Sequence, residues 1–245
     1  MNNKALEAYL NTLMKVPDFQ DYAPNGLQVE GRGEIKRLLA SPSISLGVIK
    51  KAVEVGAQAV LVHHGMFWQN ESRVVSGPYK ERLKLLLGHD INLYAYHLPL
   101  DFQPDYGNNA PVLRDLKCGD IRPFENIGYS GKFKTPLDPY KFSILLDKYY
   151  HTTGHHLGRS GKIQRVAIVS GNGVSYLQKA IDQGFDAFIT GESSEWVYNM
   201  ALENNIAFSA MGHYKSECVG IKLLGEHIAK KFKTRVDFYA EDNPF

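Results

Sequence analysis

The sequence predicts an α/β protein of two related lobes, on three observations. Short apolar runs alternate with helical stretches along most of the chain, one helix–glycine–strand unit recurs in the second half, and unusual polar residues fall where apolar runs end. The length of 245 residues suits one large or two modest domains at about 150 residues each. A composition of 44% hydrophobic and 22% charged residues is that of an ordinary globular protein and excludes disorder, collagen-like repeats and coiled coil. The net charge of +2 is too small to mark a binder of nucleic acid or membrane surfaces by charge alone, which leaves nucleic acid a secondary option that would need a local patch. No apolar run approaches the roughly 18 residues of a membrane span, and the start, Met1-Asn2-Asn3-Lys4, lacks the apolar stretch of a signal peptide. A cytoplasmic protein without a membrane partner is expected. Cys118 and Cys218 are too few and too far apart for a disulfide framework or a Cys-rich zinc module.

The elements follow in order. Leu6, Tyr9, Leu10, Leu13 and Met14 share one helical face, which predicts an N-terminal surface helix. The turn-rich stretch Asp21 to Gly33 reads as a loop. Arg37 to Ser41 reads as a strand, Ser45 to Val55 as a helix capped by Ser45 and ended by Gly56, and Ala57 to Val62 as a buried strand. A helix over Tyr79 to Leu87 leads to the apolar run Ile91 to Tyr96. In the second half, Asp138-Pro139 opens a helix to Tyr149. Strands are then expected at Val166 to Val169, Asp186 to Thr190, Ile206 to Ala210 and Val236 to Tyr239, with helices at Val174 to Gln183, Ser194 to Glu203 and Glu217 to Phe232.

The segment from Lys51, KAVEVGAQAVLVHHG, aligns without gaps on the segment from Lys179, KAIDQGFDAFITGES. The next strand of each half runs into a histidine, His97 or His213, and four residues later comes a carboxylate, Asp101 or Glu217. We read this as an internal duplication, with a first lobe over 1–128, a second over 129–245 and a metal site between them.

Ligands of open α/β sheets collect beyond the carboxyl ends of the strands, and His63, His64, His97 and His213 are all expected there. Adjacent side chains on a strand diverge, so His63 and His64 suit two neighbouring ions better than one. His97 with Asp101, and His213 with Glu217, place a nitrogen and a carboxylate at helical spacing, although Pro99 makes this less regular for the first pair. Four imidazoles and two carboxylates suit Zn, Mn, Fe, Co or Ni, and six ligands fit two divalent ions per chain sharing a bridging water. Glu192, at the repeat position of His64, is the candidate catalytic general base or outer carboxylate. Other features point to less. Ser170-Gly171-Asn172-Gly173 resembles a phosphate-cradling turn only weakly. His155 and His156 read as solvent-exposed loop residues with no carboxylate at useful spacing. The basic run Ala229 to Arg235 reads as a solvated helix end.

Taken in order, Val60-Leu-Val-His63-His64-Gly65, His97-Leu-Pro-Leu-Asp101, Gly107-Asn-Asn-Ala110, Ala187-Phe-Ile-Thr-Gly191-Glu192 and Gly212-His213-Tyr-Lys-Ser-Glu217 resemble the signature of the Nif-three-like family, also called GTP cyclohydrolase type-two homologues. The early segment Asp21 to Gly31 resembles that family's N-terminal motif. The resemblance implies two α/β lobes, a dinuclear metal centre held by His63, His64, His97, Asp101, His213 and Glu217, and a toroidal homohexamer. The span from Asp101 to Thr190 is too short for the middle domain that larger members insert. The stretch Ala40 to Ser45 lacks the acidic or threonine-containing pattern expected there. The reading is of a metal-dependent hydrolase that uses the bridging water on a small nucleotide-like or heterocyclic metabolite, with cyclohydrolase-type ring opening as one form. The alternative is a non-catalytic metal-binding scaffold or regulator that binds protein or DNA.

Overall fold

The computed structural model describes residues 1–245, which divide into two compact units, one of Met1–Leu100 with Ile221–Asn243 and one of Asp101–Gly220 with Pro244–Phe245. Each unit contains one sheet with helices.

The first unit's sheet has strands β1 (Gly26–Val29), β2 (Arg37–Ser43), β3 (Ala59–His64) and β4 (Asn92–Ala95), and the last strand of the chain, β11 (Arg235–Phe238), in the order β1-β4-β3-β2-β11. All neighbours run parallel except β1, which is antiparallel to β4. Its helices are α1 (Asn3–Leu13), α2 (Leu46–Glu54) and α3 (Gly77–Gly88); α4 (Leu98–Asp101) ends at the unit boundary. The stretches Leu38–Ala40 of β2 and Ala59–Val62 of β3 are apolar and buried because both faces of a parallel sheet are covered. On one face Val60, Val62 and Leu93 pack with Val48, Ile49 and Ala52 of α2. On the other, Tyr94 and Tyr96 donate their hydroxyls to the Asn3 carbonyl and to Asn11 Oδ1 of α1 at 2.9 and 2.8 Å. The expected cap is in place: Ser45 accepts from the Val48 N–H at 2.9 Å.

Asn92, at the start of β4, is fully buried with its amide saturated. It accepts from the Gly31 N–H and Asn3 Nδ2, and donates to the carbonyls of Arg32 and Gln58. Asn92→Leu keeps the volume but leaves those groups without partners, at a cost of about 2–4 kcal/mol. Urea denaturation measures it as a lowered midpoint at unchanged slope.

The second unit's sheet has β5 (Cys118–Phe124), β6 (Gly128–Leu137), β7 (His155–Leu157), β8 (Ile163–Val169), β9 (Ala187–Thr190) and β10 (Ala207–Ala210), in the order β5-β6-β8-β9-β10-β7. The remaining helices are α5 (Ala110–Asp115), α6 (Pro139–Tyr150), α7 (Leu177–Asp182), α8 (Val197–Glu203), α9 (His213–Ser216) and α10 (Cys218–Phe232), which carries the chain back into the first unit. Strand alternation splits the core in two. Val166, Ile168 and Ile189 pack with Phe142 and Leu146 of α6, and Ala167, Val169 and Phe188 pack with Leu177, Ala180, Val197 and Ala201. No helix is long and apolar enough to cross a membrane.

Two sheets with helices bear out the α/β class. Their topologies also agree: β1-β4-β3-β2 and β7-β10-β9-β8 have the same chain order, three parallel strands and an antiparallel edge strand beyond the last of them. They differ at the opposite edge, where β11 is parallel to β2 and β6 antiparallel to β8.

The units do not follow the 128/129 boundary read from the sequence. Residues 101–128 belong to the second unit because β5 and β6 pair into its sheet, and β11 returns to the first because it pairs with β2. The expected loop Asp21 to Gly33 contains β1. His155 and His156 lie on β7 rather than in a loop, and only His155 is exposed. His156 meets a carboxylate after all: Nε2 contacts Asp147 Oδ1 and Nδ1 contacts Ser209 Oγ, each at 2.9 Å, tying the edge strand to α6 and β10.

Candidate metal centre

In the first unit β3 and β4 run parallel and in register, with Val62 opposite Ala95, so both deliver their carboxyl ends to one edge of the sheet. His63 and His64 end β3, and His97 follows β4. Although adjacent strand residues start on opposite faces, the His63 and His64 ring centroids are 4.5 Å apart, and those of His97 lie 5.1 and 5.6 Å from them. The three residues offer donor atoms within 4.8 Å of one another. Each ring is held through Nδ1. His63 Nδ1 donates to the Tyr96 carbonyl, His64 Nδ1 meets Ser43 Oγ, and His97 Nδ1 meets Asp21 Oδ1, each at 2.9 Å. The Tyr96 carbonyl and the Asp21 carboxylate fix the tautomer of His63 and His97, and engaging Nδ1 in all three rings leaves Nε2 as the ligating atom, the pattern of metal-bound histidines.

The loop before β1 builds this shell. Asp21 accepts from the Leu98 N–H and Asn25 Nδ2, and Asn25 Oδ1 accepts from the His97 N–H. Burial alone would raise the Asp21 pKa, but hydrogen bonds from His97, Asn25 and Leu98 outweigh it and lower the group to about 2. Asp21→Asn is therefore expected to weaken divalent-metal binding by about 10–100-fold with the fold intact, as isothermal titration and circular dichroism would show.

In the second unit Asp101, His213 and Glu217 gather with Glu192. Asp101 and Glu217 are buried and offer oxygens within 4.8 Å of each other. Asp101 Oδ1 accepts from Asn108 Nδ2 at 2.8 Å and Ser170 Oγ at 3.0 Å, while Asn108 Oδ1 accepts from the Gly220 N–H and Asn109 Oδ1 from the Ser170 N–H. His213 and Glu217 meet at i,i+4 as their spacing predicts, Nε2 to Oε2 at 3.1 Å, and Glu192 Oε1 holds His213 Nδ1 at 2.5 Å. Burial disfavours the charged imidazole, but Glu217 and then Glu192 outweigh it and raise the His213 pKa to about 9. A metal ion taken up by His213 therefore displaces a proton at neutral pH.

The Ser170–Gly173 turn is built for these carboxylates. The Gly171 N–H is spent on Ser216 Oγ, the Gly173 N–H on Thr190 Oγ1, and the Gly171 carbonyl accepts from the N–H groups of Gly191 and Glu192. Gly171 sits at φ +60°, where a Cβ would lie 2.0 Å from Glu217 Oε1. Gly171→Ala is expected to cost about 1–2 kcal/mol for the left-handed backbone alone and to displace Glu217, seen as a lowered melting temperature together with weaker metal binding.

The donor chemistry fits a metal centre. Oriented imidazoles stand in one unit, and two buried carboxylates with an imidazole in the other. Carboxylates buried side by side favour a proton or a cation beside them, here a charged His213 or a metal ion that replaces its proton, and nitrogen and oxygen donors suit first-row divalent ions. Neither cysteine belongs to the set, since Cys118 is part of a core and Cys218 Sγ donates to the Tyr214 carbonyl.

The sequence model of the Duf34/NIF3 (NGG1p interacting factor 3) family matches residues 1–244. The chain belongs to this family. A Yersinia pestis member named GTP cyclohydrolase 1 type 2 homolog is 44% identical over 100% of both chains. Among solved structures, protein ybgI, described as of unknown function, aligns over 100% of both chains with a TM-score of 0.96 at 37% identity. TTHA1606 from Thermus thermophilus does so with a TM-score of 0.93 at 29% identity. Family membership agrees with the motifs that suggested it. Sequence reasoning missed Asp21, Asn25, Ser43, Asn108 and Ser170 as the groups that orient the ligands. Ser43 also answers the departure noted in the stretch Ala40 to Ser45, where a hydroxyl holds His64.

Proposed function

We propose that His63, His64, His97, Asp101, His213 and Glu217 together hold two divalent ions and that the protein is a metal-dependent hydrolase of a small nucleotide-like or heterocyclic metabolite. The observation that carries this is that each unit gathers a ligand set of its own, three Nδ1-anchored imidazoles in the first and two adjacent buried carboxylates with an imidazole in the second. Ions bound there would supply Lewis-acid activation of water and stabilise the attacking and departing oxygens. The protein's own groups do the rest. Asp21 and Glu192 hold the His97 and His213 rings in place, and Asn108 and Ser170 fix Asp101. The Glu192 side chain keeps 42% of its surface exposed, so it can also take up a proton from solvent or substrate. The name of the Yersinia relative favours a purine ring as one substrate to try. Assembly into a homohexamer in the cytoplasm is part of the same proposal.

The test is metal-replete protein assayed for hydrolysis against purine and pyrimidine nucleotides, cyclic nucleotides and phosphodiesters. Turnover that chelation removes, and that falls in Glu192→Gln and disappears in His64→Ala, supports the reading. Metal-replete protein without turnover on any of these, together with a protein or DNA partner retained equally by Glu192→Gln, would leave a non-catalytic scaffold instead.

A further inference from the structure

Trp68 and Arg82 are outside the ligand set and the outer groups that hold it. The Trp68 ring lies 5.8 Å from His64 and 5.2 Å from His97, edge-on to the latter at 84°. Tyr22, next to Asp21, lies 5.8 Å from Trp68 and 5.0 Å from His97 and is 52% exposed. The two large rings thus border the imidazole set.

Trp68 also lines a pocket of ≈ 400 Å³ within the first unit, along with Gly65, Ser72, Ser76, Tyr79 and Arg82. Arg82 projects from α3, and its Nε is buried without a hydrogen-bond partner. A guanidinium offers five donors and no acceptor, and a buried donor left unsatisfied is costly. An oxyanion is the ligand that repays it. One further feature favours an anion. Ser76 is the N-cap of this twelve-residue helix, yet its hydroxyl makes no capping bond, and the helix dipole is positive at that end. The exposed Glu71 is the one acid on the lining. One guanidinium against one carboxylate suits a single phosphoryl group better than a triphosphate.

We infer that this pocket is the specificity subsite for a heteroaromatic monophosphate, whose flat ring rests against Trp68 and whose phosphoryl group is held by Arg82. This rests on the metal-dependent hydrolase reading, because Trp68 is what joins the pocket to the imidazole set.

The sequence has two tryptophans, so Trp196→Phe leaves Trp68 as the sole indole reporter. Metal-replete Trp196→Phe protein is titrated with adenosine, adenosine 5′-monophosphate and inorganic phosphate, following indole fluorescence. The monophosphate is expected to quench at roughly tenfold lower concentration than the nucleoside, the effect of one charge-assisted contact, and inorganic phosphate to compete with it. Arg82→Gln should abolish that preference and leave nucleoside quenching and metal content unchanged. Arg82→Lys, which keeps the charge, should restore part of it and guards against misfolding of the Gln variant. Equal affinity for nucleoside and monophosphate, absence of quenching, or a preference that survives Arg82→Gln would overturn the subsite. Metal content of the same samples separates the two readings. Metal-replete protein without the preference sinks the subsite alone, whereas protein that holds no metal sinks the hydrolase reading.

Discussion

Glu217→Gln is expected to weaken divalent-metal binding in the carboxylate set by more than about 100-fold, beyond the 10–100-fold typical of losing an outer hydrogen-bonding group. The substitution is nearly isosteric, so packing beneath it is kept, but it removes one of two adjacent buried negative charges. It also removes the carboxylate that does most to raise the His213 pKa against burial, so that pKa falls from about 9. Competition with a chelating dye measures the first effect and imidazole NMR titration the second. Unchanged metal affinity beside an unchanged circular dichroism spectrum would remove Glu217 from the ligand set.

Phe188→Ala is expected to cost about 3–5 kcal/mol. Phe188 is fully buried at the centre of β9, with the rings of Phe124 and Phe208 each 6.3 Å away and Leu177, Ala180, Val197 and Ala201 in the same core. A cavity there has few ways to collapse, because β8 and β10 hold the strand on both sides. The same strand leads into Thr190, Gly191 and Glu192, so loosening it should also blur the geometry at His213. Urea denaturation checks the stability, and a loss of cooperativity in the variant would show that the second unit had come apart.

Elements whose signals are local were legible in the sequence. Ser45 is a cap because its own hydroxyl reaches three residues ahead, and Leu38–Ala40, Ala59–Val62, Val166–Val169 and Ala187–Ile189 are apolar runs because the parallel strands they belong to are covered on both faces. The four histidines were legible because each stands within three residues of the end of a strand's apolar run, in β3, β4 or β10. What was missed depends on partners distant in sequence. β1 and β7 are short edge strands, recognisable only by pairing with β4 and β10. β5 and β6 carry exposed charges on alternate positions and are closed by Glu125 and Asn126 at positive φ, which resembles a loop more than a hairpin. Asp21 is separated from His97 by 76 residues and Ser170 from Asp101 by 69. No spacing rule connects such pairs, and these are the contacts that orient a ligand rather than name it. The unit boundary was missed for the same reason, since β11 joins a strand from the other end of the chain.

Whether the six residues hold a two-ion centre is decided by elemental analysis of the full chain with native mass spectrometry after metal-replete purification. About two divalent ions per chain are expected, falling in His64→Ala and in Glu217→Gln while each variant keeps its fold. One ion or fewer per chain in the unsubstituted protein, or two ions unaffected by both substitutions, would contradict it.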